Sequence, residues 1–360
     1  MKKVLIINTI GFGFEGISSV ILNYISKMDL SDLQLDFVTF NDSDKNIIKI
    51  LEDYGSVFVI PDRKEETSGY IKSFRQLLRE HKYDVVHING NSGTMLIEAA
   101  LSKVYGVKNI IVHTHSTHTD HKYISMFFKL ILNNMNITRL GCSKEACDNL
   151  YRSHGYTVLK NAIDYNRFSY NPELRKKIRD KFNIKNEKVI GHCGHFTGTK
   201  NHEFILEVFE TVHEKAKNTK LMLISDGPRM DDIQKKVTEM NLTDSVIFVG
   251  RVNNSEVYYQ AMDLFLFPSK WEGFGLVAIE AQVSGLPVIA SKGVPQSTKI
   301  SDNIEYLSLN ENIQLWADKI IDCLNNLKNR SDIDLRKNLT DVGLNIDYEV
   351  DILKRIYLNN

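Results

Sequence analysis

Residues 269–291 have the sequence SKWEGFGLVAIEAQVSGLPVIAS, and this segment decides the fold of the chain. The apolar run at residues 263–268 just before it predicts a buried parallel strand. The spacing of apolar residues from Leu276 to Val283 predicts a helix, and the glycines between strand and helix predict a tight turn. A helix that begins at the end of a parallel sheet directs free amides and a partial positive charge towards that edge, which suits an anionic group such as a diphosphate.

Two glutamates frame this turn and helix. Glu272 precedes the glycines, and Glu280 lies beyond them with seven residues between the two glutamates, about two helical turns along. Carboxylates accept hydrogen bonds from vicinal hydroxyls, and a nucleotide sugar has hydroxyls on its ribose and on its sugar, with a diphosphate between them. The simpler alternative is that Glu272 complements the helix dipole and that Glu280 is an exposed helix residue. Taken as a whole, the segment favours a nucleotide-sugar site.

The segment resembles the E-x7-E signature of the retaining GT-B glycosyltransferases of glycosyltransferase family 4, because the glutamate spacing, the glycines and the closing GLPVIAS all agree. The resemblance is strongest in the second half of the chain and extends over nearly all of it. It implies that Glu272 contacts the hydroxyls of the donor sugar and that Glu280 contacts the ribose. It also implies that the amides of Phe274, Gly275 and Leu276 hold the sugar and the phosphates.

Length and composition restrict the class of protein. A chain of 360 residues exceeds the size of about 250–300 residues at which a single core usually stops growing, so we expect two domains. The 45 basic and 45 acidic residues give a formal charge of zero, which argues against nucleic acid as a partner. The four cysteines lack metal-ligand spacing and are typical of reduced thiols, and no apolar run resembles a signal peptide or a membrane span. We therefore expect a cytoplasmic protein.

The order of predicted elements indicates an α/β fold. Strands and helices alternate from residue 3 to residue 142, and the alternation restarts at residue 188, which predicts two parallel sheets covered by helices. The resemblance implies the GT-B architecture, with two doubly wound Rossmann-like domains facing a central cleft. We expect an acceptor-side domain at residues 1–165 and a donor-binding domain at residues 166–345. A final helix at residues 346–360 is expected to cross back to the first domain.

A glycine-rich loop follows the first predicted strand. Gly11, Gly13 and Gly16 fit the pattern G-x-G-x-x-G of dinucleotide-binding folds, and Asp42 would then serve as the ribose acid. This pattern supports an alternative function, that of an NAD-dependent oxidoreductase. The resemblance implies instead a loop that approaches the acceptor and the donor phosphates, with Gly13 and Gly16 near the donor. The glutamate that the family has in this region is replaced by Ser18.

A second loop, at residues 194–201, follows the first strand of the second half. The family has an arginine followed five residues later by a lysine here, and this chain has His195 and Lys200. The resemblance implies that Lys200 neutralises the diphosphate and stabilises the leaving group. Histidine is only partly charged near neutral pH and lacks the bidentate fork of arginine, although it can donate one hydrogen bond to a phosphate. Two alternatives stay open: a solvated lysine, and a catalytically silent protein that binds a nucleotide sugar.

Residues 113–121, HTHSTHTDH, are rich in histidine. His113 and His115 would share one face of a strand, as in a metal site, but no carboxylate or cysteine cluster at fixed spacing accompanies them. The resemblance instead assigns His115 to the donor sugar near its reacting carbon, as a catalytic residue. His113 is then structural, and His118 and His121 lie on a loop at the acceptor side.

The remaining matches concern the nucleotide. Asp226 lies in a turn that resembles the family's loop near the base, and Arg251 and Val252 resemble the segment whose backbone contacts the base. Base recognition through the backbone favours UDP, with GDP as the alternative. No D-x-D pair is placed to hold a metal at the diphosphate, so we expect no metal cofactor, and the positive charge would come from Lys200, helix dipoles and partly His195.

Together with the residues above, the resemblance implies a retaining glycosyltransferase that acts on a UDP- or GDP-sugar and a glycan or lipid-linked saccharide. Similar proteins build capsule or exopolysaccharide, and the family's mechanism lets the leaving phosphate deprotonate the acceptor. Residues 121–139 form an apolar and basic helix that is typical of a core helix. The same pattern suits peripheral contact with the inner face of the cell membrane.

Overall fold

The computed structural model describes residues 1–13, 16–41, 43–116, 122–152 and 155–359. It divides into two compact units. The first unit combines residues 1–163 with residues 343–360, and the second unit comprises residues 164–342. The sequence had suggested boundaries at residues 165 and 345.

The first unit contains a seven-stranded sheet in which neighbouring strands are parallel, in the order β3-β2-β1-β4-β5-β6-β7. Its elements in chain order are β1 (Lys2–Asn8), α1 (Gly16–Lys27), β2 (Leu33–Phe40), α2 (Lys45–Glu52), β3 (Gly55–Ile60), α3 (Thr67–Glu80), β4 (Val85–Gly90), α4 (Leu96–Val104), β5 (Asn109–Thr114), α5 (Lys122–Asn133), β6 (Thr138–Gly141), α6 (Lys144–Tyr151) and β7 (Thr157–Val158). Helices alternate with these strands, as a parallel sheet requires.

The central strands of the first unit are continuous apolar runs, because both faces of a parallel sheet are covered. Residues 4–8 of β1 and all of β4 are buried. The register aligns Asn8 of β1 with Asn89 of β4, and Asn89 with His113 of β5. The sheet therefore places a row of polar side chains near its carboxyl edge, where these parallel strands end.

The second unit contains a six-stranded parallel sheet in the order β10-β9-β8-β11-β12-β13. Its elements are α7 (Tyr165–Phe168), α8 (Pro172–Lys181), β8 (Lys188–Cys193), α9 (His202–Lys215), β9 (Thr219–Ile224), α10 (Met230–Glu239), β10 (Val246–Gly250), α11 (Ser255–Tyr259), β11 (Leu264–Phe267), α12 (Leu276–Val283), β12 (Val288–Ser291), β13 (Ile304–Leu307), α13 (Ile313–Asn325) and α14 (Arg336–Asp341). The two parallel sheets confirm the predicted pair of Rossmann-like domains.

The last helix, α15 (Ile346–Leu358), packs on the first unit. The hydroxyl of Tyr357 lies 2.7 Å from Nδ1 of His87 in β4. At the end of the helix, Lys2 donates a 2.6 Å hydrogen bond to the carbonyl of Leu358. These contacts link the C-terminal helix to the centre of the first sheet.

Among the described residues, none of the helices combines the length and the hydropathy needed to cross a membrane.

Candidate active site

The loop after β11 is held by the backbones of two neighbouring loops. The N–H of Lys270 donates to the carbonyl of Thr199 at 2.8 Å, and the N–H of Glu272 donates to the carbonyl of Gly293 at 3.1 Å. Since the backbone is fixed on both sides of residue 271, the loop presents the Glu272 carboxylate from a defined position at the carboxyl edge of the second sheet.

Gly275 makes the turn from this loop into α12. Its φ of +83° lies in the left-handed region, and a Cβ atom there would lie 3.2 Å from Cγ2 of Thr298. Glycine adopts this conformation without steric cost. The helix begins at the next residue, so the amides around Leu276 have no intrahelical acceptor and form the positive end of the helix dipole. Phe274, Gly275 and Leu276 therefore occupy the position expected for an anion site.

Lys200 and Glu272 are brought together in the second unit. The Lys200 Nζ lies 2.6 Å from Oε1 of Glu272 and 5.2 Å from the ring centre of Phe267, and both charged side chains are largely buried. Asn201 adopts a left-handed conformation with φ +63°, and its side-chain amide donates to the carbonyl of Pro268 at 3.2 Å. This bond joins the loop of Lys200 to the end of β11. Lys200 is thus largely buried and ion-paired with Glu272. It is not the solvated loop lysine of the alternative interpretation.

Glu280 lies within the protein instead of on an exposed helix face. Glu280 is only 9% exposed, and its Oε2 accepts a 2.9 Å hydrogen bond from the hydroxyl of Tyr259. Burial raises the pKa of Glu280 to about 7. The structure therefore contradicts the simpler alternative for this residue. Tyr259 was not singled out from the sequence, because a tyrosine at the end of a short helix carries no motif.

Three further loops of the second unit bring His195, Asp226 and Arg251 together. The Nδ1 of His195 lies 3.6 Å from Oδ1 of Asp226, and the Nε of Arg251 lies 2.8 Å from Oδ2 of the same carboxylate. These residues follow β8, β9 and β10 respectively, so the sheet order explains their proximity. Val252 follows Arg251 and is partly buried.

Two buried histidines lie close to the loop of Lys200. The Nδ1 of His192 lies 2.9 Å from the carbonyl oxygen of Leu266, and the ring of His202 stacks on Phe196 with centres 4.0 Å apart. Burial lowers the pKa of His192, and it lowers that of His202 to about 3 with a further contribution from Lys200. Both rings are therefore neutral near pH 7, and they add no positive charge to this edge.

In the first unit, His115 follows β5 and is hydrogen-bonded to Asn89, a residue that the sequence analysis did not identify. The amide nitrogen of Asn89 donates to the carbonyl of Ile7 at 3.3 Å, which leaves its Oδ1 facing Nε2 of His115 at 2.9 Å. Nε2 must therefore be the protonated nitrogen. Burial lowers the pKa of His115 to about 4, an effect that Asn161 opposes in part, so the ring is neutral near pH 7. Its buried Nδ1 makes no hydrogen bond of normal geometry among the described residues, although the Asn161 side chain interacts with the ring, and a neutral Nδ1 can accept from a hydroxyl.

His113 is surrounded by other aromatic rings. Its Nδ1 lies 3.3 Å from Nε2 of His87, and the two rings stack with centres 5.4 Å apart. Burial lowers the pKa of both histidines. Within the described part of the chain, no group of three or more His, Cys, Asp or Glu side chains is arranged to hold a metal ion. His118 and His121 lie outside the described residues.

The described start of the glycine loop, residues 11–13, is held by side chains of the first unit. The N–H of Gly13 donates to Oγ of Ser18 at 3.1 Å, and the side-chain amide of Asn8 donates to the same oxygen at 3.2 Å. Ser18 is completely buried, so at this position it fixes the loop. Gly16 is the first residue of α1. Asp42, the acid of the dinucleotide alternative, lies outside the described residues.

A cavity of about 570 Å³ opens at the opposite edge of the second sheet, near the amino ends of β8 and β12. Among its lining residues, Arg330 donates hydrogen bonds to the carbonyls of Tyr259, Gln260, Met262 and Ser284. These carbonyls lie at or just beyond the carboxyl ends of α11 and α12, where a cation is favoured. Arg330 therefore has a structural explanation, and the cavity is separate from the loop of Glu272.

Comparison with known proteins gives consistent matches over the whole chain. The family described as "Glycosyl transferases group 1" matches residues 175–339. EpsF of Bacillus subtilis (strain 168) is 29% identical over 86% of this chain and 85% of its own length. The UDP-Gal:alpha-D-GlcNAc-diphosphoundecaprenol alpha-1,3-galactosyltransferase of Escherichia coli is 26% identical over 84% of this chain and 81% of its own length. The crystal structure of Anabaena Alr3699/HepE in complex with UDP superposes with a TM-score of 0.74, at 16% identity, covering 99% of this chain and 100% of that one.

Proposed function

Because residues 175–339 match the family of group 1 glycosyl transferases and the chain has the GT-B fold, we propose that this protein is a glycosyltransferase that moves a sugar from a UDP-sugar to a hydroxyl of a saccharide acceptor. We propose further that the reaction retains the anomeric configuration and needs no metal. The observation that carries this proposal is the Lys200–Glu272 pair beside the amino end of α12. It places a cation, a carboxylate and free amides at one edge of one sheet.

Each group has a role in donor binding. The amides around Gly275 and the ammonium of Lys200 bind the diphosphate, because both offer positive charge at the same edge. The Glu272 carboxylate accepts hydrogen bonds from the sugar hydroxyls, and Glu280, oriented by Tyr259, accepts from the ribose. Asp226, Arg251 and Val252 lie on the loops that we assign to the base.

The catalytic step follows from these contacts. Negative charge develops on the diphosphate as the glycosidic bond breaks, and Lys200 with the α12 amides stabilises that charge. The leaving phosphate oxygen takes the proton of the acceptor hydroxyl on the face from which it departs, which gives retention. In the first unit, we assign His115 to a sugar hydroxyl, from which its neutral ring accepts a hydrogen bond.

The relatives support UDP as the nucleotide and a lipid-linked saccharide as the acceptor. The Escherichia coli relative uses UDP-Gal and a diphosphoundecaprenol-linked sugar, and the Anabaena structure contains UDP. GDP stays the second candidate for the nucleotide. We place the reaction in the synthesis of a surface polysaccharide such as capsule or exopolysaccharide, at the inner face of the cell membrane.

One face of α5 supports peripheral contact with that membrane. Met126, Phe127, Leu130 and Ile131 follow helical spacing along one stripe, and their exposed fractions lie between 44% and 61%. Large apolar side chains on one helix face are typical of a surface that enters the headgroup region of a bilayer. Such contact brings the enzyme to an acceptor that is anchored in lipid.

The function is tested by ligand binding and by turnover. UDP is expected to raise the midpoint of thermal unfolding, with or without EDTA. When a panel of UDP-sugars is tested with a lipid-linked saccharide, an α-linked donor is expected to give an α-linked product, and NMR identifies the linkage. Protection by NAD⁺ instead of UDP would support the oxidoreductase alternative. Binding of a UDP-sugar without turnover across acceptors would support a silent sugar-binding protein, and an effect of EDTA on turnover would refute metal independence.

The membrane contact is tested with liposomes that contain anionic lipid. The double variant Phe127→Ser/Leu130→Ser is expected to lose most of its cosedimentation with the vesicles, because it removes two side chains from the stripe. Val104→Ser is the matched control, since Val104 is a more exposed apolar side chain (78%) on a different helix of the same unit. Equal loss in both variants, or none in either, would refute the assignment of α5.

A further inference from the structure

Three cations lie on the loops at the carboxyl edge of β8, β9 and β10, and each has its own carboxylate. Lys200 pairs with Glu272 at 2.6 Å, Arg251 with Asp226 at 2.8 Å, and Arg229 with Glu203 at 2.7 Å. The formal charge of these six side chains therefore sums to zero. A nucleoside diphosphate that binds at this edge adds negative charge, and none of these three cations is without a carboxylate partner to neutralise it.

His195 is the group at this edge that can gain a positive charge near neutral pH. Its ring is half-exposed and lies on the same loop as Lys200. The neighbouring His202 does not serve, because burial holds its pKa at about 3. If a proton is taken up to neutralise the diphosphate, His195 is therefore the residue to carry it.

The contact with Asp226 decides which nitrogen of His195 carries the first proton. The Oδ1 of Asp226 is buried, has no hydrogen-bond partner in the described part of the chain and lies 3.6 Å from Nδ1. A carboxylate oxygen only accepts, so Nδ1 is the protonated nitrogen of a neutral ring that faces it. Nε2 then has a bare lone pair, which repels a phosphate oxygen. A hydrogen bond from Nε2 to the diphosphate requires a second proton.

On the basis of the donor site proposed above, we infer that binding of a nucleoside diphosphate takes up one proton, which His195 holds between Asp226 and the diphosphate. The proton comes from the buffer: the bond to hydrogen in the buffer acid breaks, the N–H bond at Nε2 of His195 forms, and the buffer base is released. Imidazolium donates from both nitrogens, with Nδ1 to Oδ1 of Asp226 and Nε2 to a phosphate oxygen. Arg251 holds the other oxygen of Asp226 and so keeps the carboxylate oriented towards the ring. Asp226 is thus a positioning residue.

The neighbouring charged groups have opposing effects on protonation of the His195 ring. Lys200, Arg229 and Arg251 oppose a second proton, whereas Asp226, Glu203 and Glu272 favour it. Because these six charges balance, the diphosphate tips the balance towards imidazolium. The sign of the pH effect follows from linkage: at His195 the complex holds one proton more than the free protein, so this contribution to affinity falls as pH rises, whereas any change at Glu280 is common to the wild type and the His195 variants. Where the ring of the free protein is neutral, the loss approaches tenfold per pH unit.

The experiment measures UDP binding by isothermal titration calorimetry in HEPES and in Tris, whose ionisation enthalpies differ, so the difference in heat gives the number of protons exchanged. His195→Gln is the matched control, because a neutral amide donates to phosphate but cannot take up a proton. UDP's own ionisation contributes to both proteins and is removed by subtraction. We expect the wild type to take up close to one proton more than the variant. Its dissociation constant should also rise more steeply with pH, by up to tenfold per unit between about pH 7.5 and 8.5.

Two further variants separate the roles of the two residues. His195→Arg should bind UDP with as little additional proton uptake as His195→Gln, because its charge is permanent. Asp226→Asn should lower the proton uptake, because an amide no longer stabilises imidazolium. Equal uptake by the wild type and His195→Gln, with UDP bound to both, would overturn this inference and leave the donor site standing. No binding of UDP to either protein would overturn the donor site and this inference together, and undiminished uptake by Asp226→Asn would overturn the role of Asp226.

Discussion

The variant Glu280→Gln is expected to stabilise the second unit while it weakens nucleotide binding. Burial raises the pKa of Glu280 from its ordinary 4.5 to about 7. The folded protein therefore keeps a proton that the unfolded chain has lost, and its stability falls as pH rises through this interval. At 1.36 kcal/mol for each pKa unit, ionising the buried carboxyl costs about 3 kcal/mol at pH 8. Glutamine retains an oxygen for the Tyr259 hydroxyl and removes this cost.

The two tryptophans make the measurement specific for the second unit. The chain has only Trp271 and Trp316, and both lie in this unit. Urea unfolding followed by tryptophan fluorescence therefore reports on the unit that contains Glu280. The gain of Glu280→Gln over the wild type should be below about 1 kcal/mol at pH 5 and should reach about 3 kcal/mol at pH 8.

The same substitution should reduce UDP affinity by about tenfold at pH 8, because a charge-assisted hydrogen bond to the ribose becomes a neutral one. The reasoning requires both effects in one variant, a more stable protein that binds nucleotide less well. A gain in stability that is the same at pH 5 and pH 8 would refute the account of the buried carboxyl. Unchanged UDP affinity would refute the assignment of Glu280 to the ribose.

Three other substitutions test separate parts of the account. Lys200→Ala should lower kcat/KM for transfer by about 100- to 1,000-fold, since it removes one charge-stabilising donor, while the protein still folds; turnover at the wild-type rate would contradict the role of Lys200. Gly275→Ala should destabilise the second unit by about 1 kcal/mol in the urea assay, because alanine is strained at φ +83°, and an unchanged midpoint would argue against this turn. Tyr357→Phe should cost about 1–3 kcal/mol in thermal unfolding, because it leaves the buried Nδ1 of His87 without its 2.7 Å partner, and a neutral effect would show that this bond does not anchor α15.

Much of the fold was predictable because buried parallel strands are continuous apolar runs, which are easily recognised in the sequence. The predicted helix at residues 276–283 has the bounds that the structure shows, the predicted strand at residues 263–268 contains β11, and the alternation predicted to restart at residue 188 begins there with β8. Elements without a strong run were missed, such as the short strand Thr157–Val158 and the edge strand Ile304–Leu307. Their position depends on pairing with a neighbouring strand, which local periodicity does not encode.

The site shows the same division between local motif and long-range contact. Glu272 and Lys200 were predicted from motifs, and the structure places them 2.6 Å apart. Asn89 and Tyr259 were missed, because each acts through a partner that is distant in sequence. Their roles depend on the order of strands in the sheet and on burial, and no spacing rule within one segment reveals them.

The most direct measurement is the crystal structure of this protein bound to UDP. The account predicts diphosphate oxygens within about 2.7–3.2 Å of the Lys200 ammonium and of amides at the start of α12, with the ribose at Glu280. UDP bound at the loop of Gly11 and Gly13, or anywhere that leaves α12 and Lys200 without a phosphate contact, would contradict it.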